Sequence, residues 1–187
     1  QGWFDVLGEV SHPDIVSIAA ISGDSSGGGA EIGWACDLRI AEQQASFCQP
    51  EITMGITTGI GGSSRLARLA GRGAATEMVL TGTRMSAQRL YQLGAINHVV
   101  PIGEALAKAI EIAIALASRS APALHGLKQI LANNEQQPLP DALAYEQAIF
   151  QSVVVGEEAV SGMKAAQAAY DASTPIAGDQ PKKEAPG

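Results

Sequence analysis

At 187 residues, 46% of them hydrophobic, the chain is long enough to bury one substantial core. Its formal net charge of −7 repels a phosphate backbone and argues against nucleic acid as a partner. The apolar runs are too short and too interrupted by Gly, Ser or charge to span a bilayer, so no membrane partner is expected.

No basic-then-apolar leader opens the sequence, which reads as soluble and cytoplasmic. Gln1 is followed at once by Trp3, Phe4, Val6 and Leu7, residues that read as the inside of a domain with something upstream missing. Asp14 to Ile21 is β-branched and apolar and ends at Ser22-Gly23, the pattern of a buried strand. Gly27, Gly28 and Gly29 then form a glycine loop ahead of a helix from Ala30 to Cys36. Leu38 to Ala41 reads as a second strand and Ala45 to Phe47 as a third, closed by Gln49-Pro50, where proline disfavours helix at the residue before it.

A glycine-rich connector runs from Gly55 to Gly62, and helices follow at Ser63 to Ala70, Ala74 to Leu80 and Ser86 to Leu93. Asn97 to Val100 is a short strand stopped by Pro101. Further helices are predicted at Glu104 to Ser118, Ala123 to Asn133, Leu139 to Val155 and Glu157 to Ala169. The end of the chain carries Pro175, Pro181 and Pro186 with no apolar period, and is expected to be disordered. The front half therefore mixes strands with helices while the back half is helical, an α/β body with a helical C-terminal portion. Such an apolar helical region needs a partner surface, its own body or another subunit.

Only two cysteines occur, Cys36 and Cys48, neither at metal-ligand spacing, so no metal site is expected and both read as small buried hydrophobes in a reducing compartment. Arg65, Arg68 and Arg72 fall on one side of a helix; such arginines decorate a solvated face or a subunit contact, and less often meet a ligand phosphate.

Three glycines at a strand-to-helix junction let a ligand approach the main chain and leave N–H groups pointing outward at the positive end of the helix dipole. That place suits a phosphate or the oxyanion of an enolate or tetrahedral intermediate. Glu31 falls in the first turn of the same helix, where capping alone would explain it, and Glu51 opens the segment after Gln49-Pro50, where a side chain can project into a cleft.

GGGAE at 27–31, ACDLRIA at 35–41, FCQPE at 47–51, GITTGIGGSSRLARLAG at 55–71 and TGTRMSAQRLYQLGAINHVVP at 81–101 occur in an order that resembles the enoyl-CoA hydratase/isomerase (crotonase) superfamily. The resemblance runs from about Val16 to Met163. It implies a crotonase-like spiral of ββα units, whose last part, with the active-site motifs, occupies residues 1–102. A helical oligomerisation region over 103–172 and a disordered tail over 173–187 would follow. The family's early repeats and much of its coenzyme A site would have no counterpart here.

By resemblance the catalytic pair is Glu31 and Glu51. One acid delivers a proton to the α-carbon of a 2-enoyl-CoA thioester, while the pair orients and deprotonates the water that attacks the β-carbon. Gly28 matches one of two oxyanion-holding N–H positions, with Gly27, Ser26 and Gly59 as neighbouring substrate-binding positions. The implied substrate is an acyl-CoA thioester, with coenzyme A as part of it and no permanently bound cofactor. The implied assembly is a homotrimer or a dimer of trimers. Asp24, Ser25 and Ser26 stand where larger residues often precede the glycines, and Thr57-Thr58 where Ile-Pro is frequent; by resemblance these positions line the acyl pocket, and the sequence leaves acyl preference open. SGMKAAQAAYDA, near the C-terminus, lacks the Phe and Lys that typical members bring to the adenine.

Three rival readings stand beside this one. Gly23-Asp24-Ser25-Ser26-Gly27 satisfies GxSxG between a strand and a helix, the setting of a nucleophile elbow, with His98 and His125 as the histidines available to a serine hydrolase. An enoyl-CoA isomerase would need one well-placed base rather than two. A scaffold that binds acyl-CoA without turnover would have no use for both acids.

Overall fold

The computed structural model describes residues 2–134 and 137–173. Compactness divides the chain into a first unit, Gln1–Arg119, and a second, Ser120–Gly187. The tail expected to be disordered lies outside the described residues, apart from Ser173, which ends the last helix.

The first unit opens with α1 (Gly2–Val10), a segment to which the sequence analysis assigned no helix. Only Leu7 of its apolar residues is buried; Trp3, Phe4 and Val6, expected inside, are exposed. Two ββα repeats follow. In one, β1 (Ile18–Ile21) and β2 (Ser25–Ser26) lead to α2 (Gly28–Ala35). In the next, β3 (Leu38–Glu42), β4 (Ser46–Cys48) and a 3-10 turn (Pro50–Met54) lead to α3 (Gly62–Thr81). β5 (Met85–Ser86), α4 (Ala87–Gln92), β6 (His98–Val100) and α5 (Ala105–Ala117) complete the unit.

Each repeat gives one strand to each of two sheets. One sheet is ordered β1-β3-β6 and is wholly parallel; in the other, ordered β2-β4-β5, β2 and β4 are parallel and β5 is antiparallel to β4. This double membership sets the second strand of each repeat, and the helix after it, beside its counterpart one repeat on. The strand predicted from Asp14 begins only at Ile18, for a local reason. The Ile15 N–H donates to the His12 carbonyl in a turn, and the Ser17 N–H donates to Asp37 Oδ2 at 2.8 Å rather than to a ladder partner.

The main core lies between α2, α3, α4 and the second sheet, with Trp34, Phe47, Leu66, Met78, Met85 and Leu90 buried in it. Trp34 and Phe47 meet as a tilted aromatic pair with centroids 5.2 Å apart. A smaller cluster sets Ala105 and Ala109 of α5 on Ile40 of β3, so this helix, grouped by sequence with the C-terminal helical region, packs on the first sheet. Its other face exposes Leu106, Ile110 and Ile114, in line with Ile102.

Gly71, at φ 81° and ψ 156°, interrupts α3 and separates the two helices expected there. The break also ends the arginine stripe: Arg72 follows it and does not continue the helical phase of Arg65 and Arg68. The glycine triplet is a correction too, because Gly28 and Gly29 form the first turn of α2 and only Gly27, at φ 50°, keeps a non-helical conformation.

Two buried charges hold the frame. Arg39 donates to the carbonyls of Ala95 at 2.6 Å, Gly33 at 3.4 Å and Asp37 at 3.3 Å, and to that of Cys36, joining the end of α2 to the approach to β6. Burial pushes its pKa down, against the raising influence of Cys36 and Asp37. Glu42, at the end of β3, accepts from Gln44 Nε2 at 2.7 Å and from the Ala105 N–H at 3.5 Å, at the start of α5.

The second unit consists of α6 (Ala121–Asn134), α7 (Leu139–Val154) and α8 (Glu157–Ser173). α6 and α7 approach closely at Gly126, where a Cβ would lie 2.8 Å from Ile149 Cγ2. Leu127, Leu131, Leu143 and Phe150 of these helices are exposed. Among the described residues no helix is long and apolar enough to cross a membrane, and no group of three or more His, Cys, Asp or Glu is arranged to hold a metal ion.

Hydrogen bonds from Gln44 first, then from the Gly103 and Ala105 backbone, outweigh burial and lower the Glu42 pKa from its ordinary 4.5. A carboxylate with a depressed folded pKa adds stability above its unfolded pKa and loses it as pH falls through the folded value. Glu42→Gln is therefore expected to destabilise the protein most at neutral pH. The gap to wild type should narrow as pH drops below about 4.5, as followed by urea denaturation across that range.

Candidate active site

The first repeat places Glu31 and the second receives it. Gly27 caps α2, its carbonyl accepting the Glu31 N–H at 3.0 Å, so the Glu31 side chain leaves the helix in its first turn. Capping of its own helix does not account for it. Oε1 accepts the N–H of Gly62 at 2.7 Å and of Ile60 at 3.3 Å, at the start of α3. The carboxylate is 3% exposed and sits where the positive ends of two helices meet, which offsets the cost of removing it from water.

Glu51 reaches the same region from the other side. Pro50 starts the 3-10 turn, where its missing N–H costs nothing, and Glu51 follows in that turn rather than in an open loop, 8% exposed. One of its oxygens lies 3.0 Å from where a Cβ on Gly27 would stand. Gly27 is thus required both by its positive φ and by the carboxyl group above it.

Gln49 lies beside Glu51 and is wholly buried. With its amide oriented by its neighbours, the nitrogen donates to Glu51 Oε1 and Oε2 at 3.1 and 3.2 Å, and the oxygen accepts from Trp34 Nε1 at 3.2 Å. A Cβ on Gly62 would be 2.8 Å from Glu31 Oε1 and 2.9 Å from the Gln49 amide, so one point touches both neighbourhoods. Sequence reasoning used Gln49 only as part of a motif and passed over Trp34. No periodic signal marked Gln49, since Phe47, Cys48 and Gln49 are all buried and Gln49 lies past the end of β4.

The connector from Gly55 is pinned at three places. Thr58 Oγ1 accepts the Ser63 N–H at 3.2 Å and pairs with Ser63 Oγ at 2.7 Å, serving the start of α3 where Gly61 has no side chain to do so. Arg65 folds back against Gly61 and donates to the Ile60 carbonyl at 2.8 Å, while the N–H of the same residue faces Glu31. Arg65 therefore clamps a site loop rather than decorating a solvated face, and Arg68 donates to the Ser64 carbonyl of its own helix at 3.0 Å.

Gly28 is the first residue of α2, so its N–H has no acceptor within the helix. The space a Cβ would occupy there is bounded by the Trp3 ring at 3.7 Å and Ile60 Cδ1 at 4.0 Å. Glu51 thus stands over Gly27, the cap of the helix whose first turn carries Gly28 and Glu31. Ser26 and Gly59 lie exposed at the margin; Ser26 Oγ accepts from Cys48 Sγ at 3.3 Å, and Gly59 stands in the connector next to Ile60.

Ser25 of the GxSxG pattern lies in the second sheet, in register with Phe47, whereas His98 lies in the first, in register with Ile40. His98 lines a separate surface depression with Gln43, Gln88 and Tyr91. That arrangement gives the elbow serine no base from His98.

Two buried carboxyl groups near outward N–H groups at a helix start are the kind of arrangement that acid–base chemistry on a substrate developing negative charge requires. The family model for enoyl-CoA hydratase/isomerase matches residues 1–170, and the chain belongs to that family. It is 38% identical over 148 residues to a short-chain-enoyl-CoA hydratase of Clostridium acetobutylicum, covering 79% of this chain and 57% of the relative. To a 2,3-dehydroadipyl-CoA hydratase of Escherichia coli it is 36% identical, covering 79% and 58%. The crystal structure of an enoyl-CoA hydratase from Bacillus anthracis superposes with a TM-score of 0.84 at 36% identity, covering 89% of this chain and 65% of that one. The fold is the crotonase spiral of ββα units, and the chain spans roughly three-fifths of the length of these relatives.

Gly62→Ala tests how tightly the acids are packed, because its methyl group would strike Glu31 Oε1 and Gln49 together. The expected cost is about 1–3 kcal/mol of stability by denaturant unfolding. Gly73→Ala, where a Cβ meets nothing within 4 Å, is the control that should change little.

Proposed function

We propose that the protein is an enoyl-CoA hydratase that adds water across the 2,3 double bond of a 2-enoyl-CoA thioester, with Glu31 and Glu51 as its acid–base pair. The water oxygen bonds to the β-carbon, one water proton passes to a carboxylate, and a proton from a carboxyl group reaches the α-carbon. The net product is the 3-hydroxyacyl thioester. The observation that carries the reading is the burial of two carboxyl groups around one shared neighbour, Gln49, beside the first turn of α2.

Glu31, anchored to the Gly62 and Ile60 N–H groups, holds and activates the water; Glu51 serves the α-carbon. As the enolate forms, its oxygen gathers charge that the Gly28 N–H is positioned to receive. Ser26 and Gly59 border the approach, and Trp3 and Ile60 wall the space above Gly28. Coenzyme A enters and leaves as part of the substrate, with no permanent cofactor.

A trimer or dimer of trimers fits the same reading, supported by the exposed Leu127, Leu131, Leu143 and Phe150. A cytoplasmic location fits Cys36 and Cys48, which form no disulfide.

Glu51→Gln and Glu31→Gln should each lower hydration by about 10²- to 10⁴-fold, equivalent to about 3–5 kcal/mol of barrier, with the fold unchanged by circular dichroism. Near-normal turnover by either variant of the intact protein would remove that residue from its role. Product analysis separates the nearest alternative: a 3-hydroxyacyl thioester from a 2-enoyl substrate marks the hydratase, and migration of a 3-enoyl bond without hydration marks an isomerase.

A further inference from the structure

We propose that Trp34 is a positioning residue, whose indole N–H fixes the orientation of the Gln49 amide and through it the Glu51 carboxyl group. The inference rests on the reading that Glu51 acts on substrate. A buried primary amide has two orientations of nearly the same shape, differing by exchange of a donor for an acceptor. In one, Gln49 donates to both Glu51 oxygens, at 3.1 and 3.2 Å; in the other its carbonyl oxygen would face those oxygens and repel them.

Trp34 decides between the two. An indole N–H can only donate, so the Gln49 atom 3.2 Å from Nε1 must be the oxygen, and the nitrogen is left to face Glu51. The ring that carries this donor is itself held: Trp34 is 3% exposed and packs at a tilt against Phe47, which precedes Gln49 by two. Trp34 also lies one turn after Glu31 on α2. A single helix therefore supports both acids, one directly and one through Trp34 and Gln49.

The test replaces Trp34 in the intact protein with 3-benzothienylalanine, which keeps the bicyclic shape but has sulfur in place of N–H, alongside Trp34→Phe, which removes the donor and one ring. Two quantities are read: the side-chain amide proton signals of Gln49 by ¹⁵N NMR, and kcat and KM for hydration of a short 2-enoyl-CoA. In the sulfur analogue the Gln49 signals should lose their distinct shifts and exchange protection. Its kcat should fall about 10-fold, with KM changed by less than about twofold.

Unchanged Gln49 signals or unchanged kcat in the analogue would overturn the proposal. So would a loss confined to Trp34→Phe, since that would assign the effect to packing. A wild-type protein that hydrated no enoyl thioester would sink the function reading alone, and the Gln49 signals would still decide whether Trp34 sets the amide.

Discussion

The contact on which the site depends is the buried hydrogen bond from the Gly62 N–H to Glu31 Oε1, 2.7 Å long. It joins two consecutive ββα repeats by setting a carboxylate from one helix on the first residue of the next. A buried charge is tolerated only where donors meet it, and the start of a helix supplies donors without a side chain. The demand then spreads outward. Gly62 can carry no Cβ, Gly61 must take φ 116°, and Arg65 must fold back on the Ile60 carbonyl to keep the N–H of Ile60 turned inward. Chemistry and repeat packing are fixed by the same few atoms.

How much of this was legible depended on distance along the chain. The glutamates stood out because each sits inside a short motif whose turn chemistry is local: a glycine before a helix, a proline starting a turn. The parallel strands at 18–21 and 38–42 were readable from β-branched and apolar runs, and the pause at Gly71 from the glycine itself. α1 was passed over although Trp3, Phe4, Val6, Leu7 and Val10 share one face of a helix, because the run reads equally as the inside of a domain; only Leu7 of that face is buried. Long-range pairings were invisible. Nothing near Trp34 announces that its N–H meets Gln49, fifteen residues on, and nothing near Arg65 announces a carbonyl rather than a solvated face.

The glycine triplet shows how a sound physical argument can misplace an element. Three consecutive glycines disfavour helix by roughly 1 kcal/mol each relative to alanine, which argues for a loop. Gly28 and Gly29 are helical nevertheless, as the first turn of α2. A Cβ on Gly28 would meet Trp3 and Ile60 only at 3.7–4.0 Å, and one on Gly29 would meet nothing within 4 Å, so it is Gly27 alone, at φ 50° and under Glu51, that must be glycine. A helix start offers outward N–H groups as well as a loop does.

The two acids also meet different kinds of donor. Glu51 is faced by a neutral amide, Gln49, which donates to it without adding charge, while Glu31 is served by backbone N–H groups that belong to no side chain and cannot titrate. A buried carboxylate needs donors, and donors that carry no charge of their own supply them without neutralising it. Unlike environments of this kind would let two identical groups take the unlike roles proposed for them.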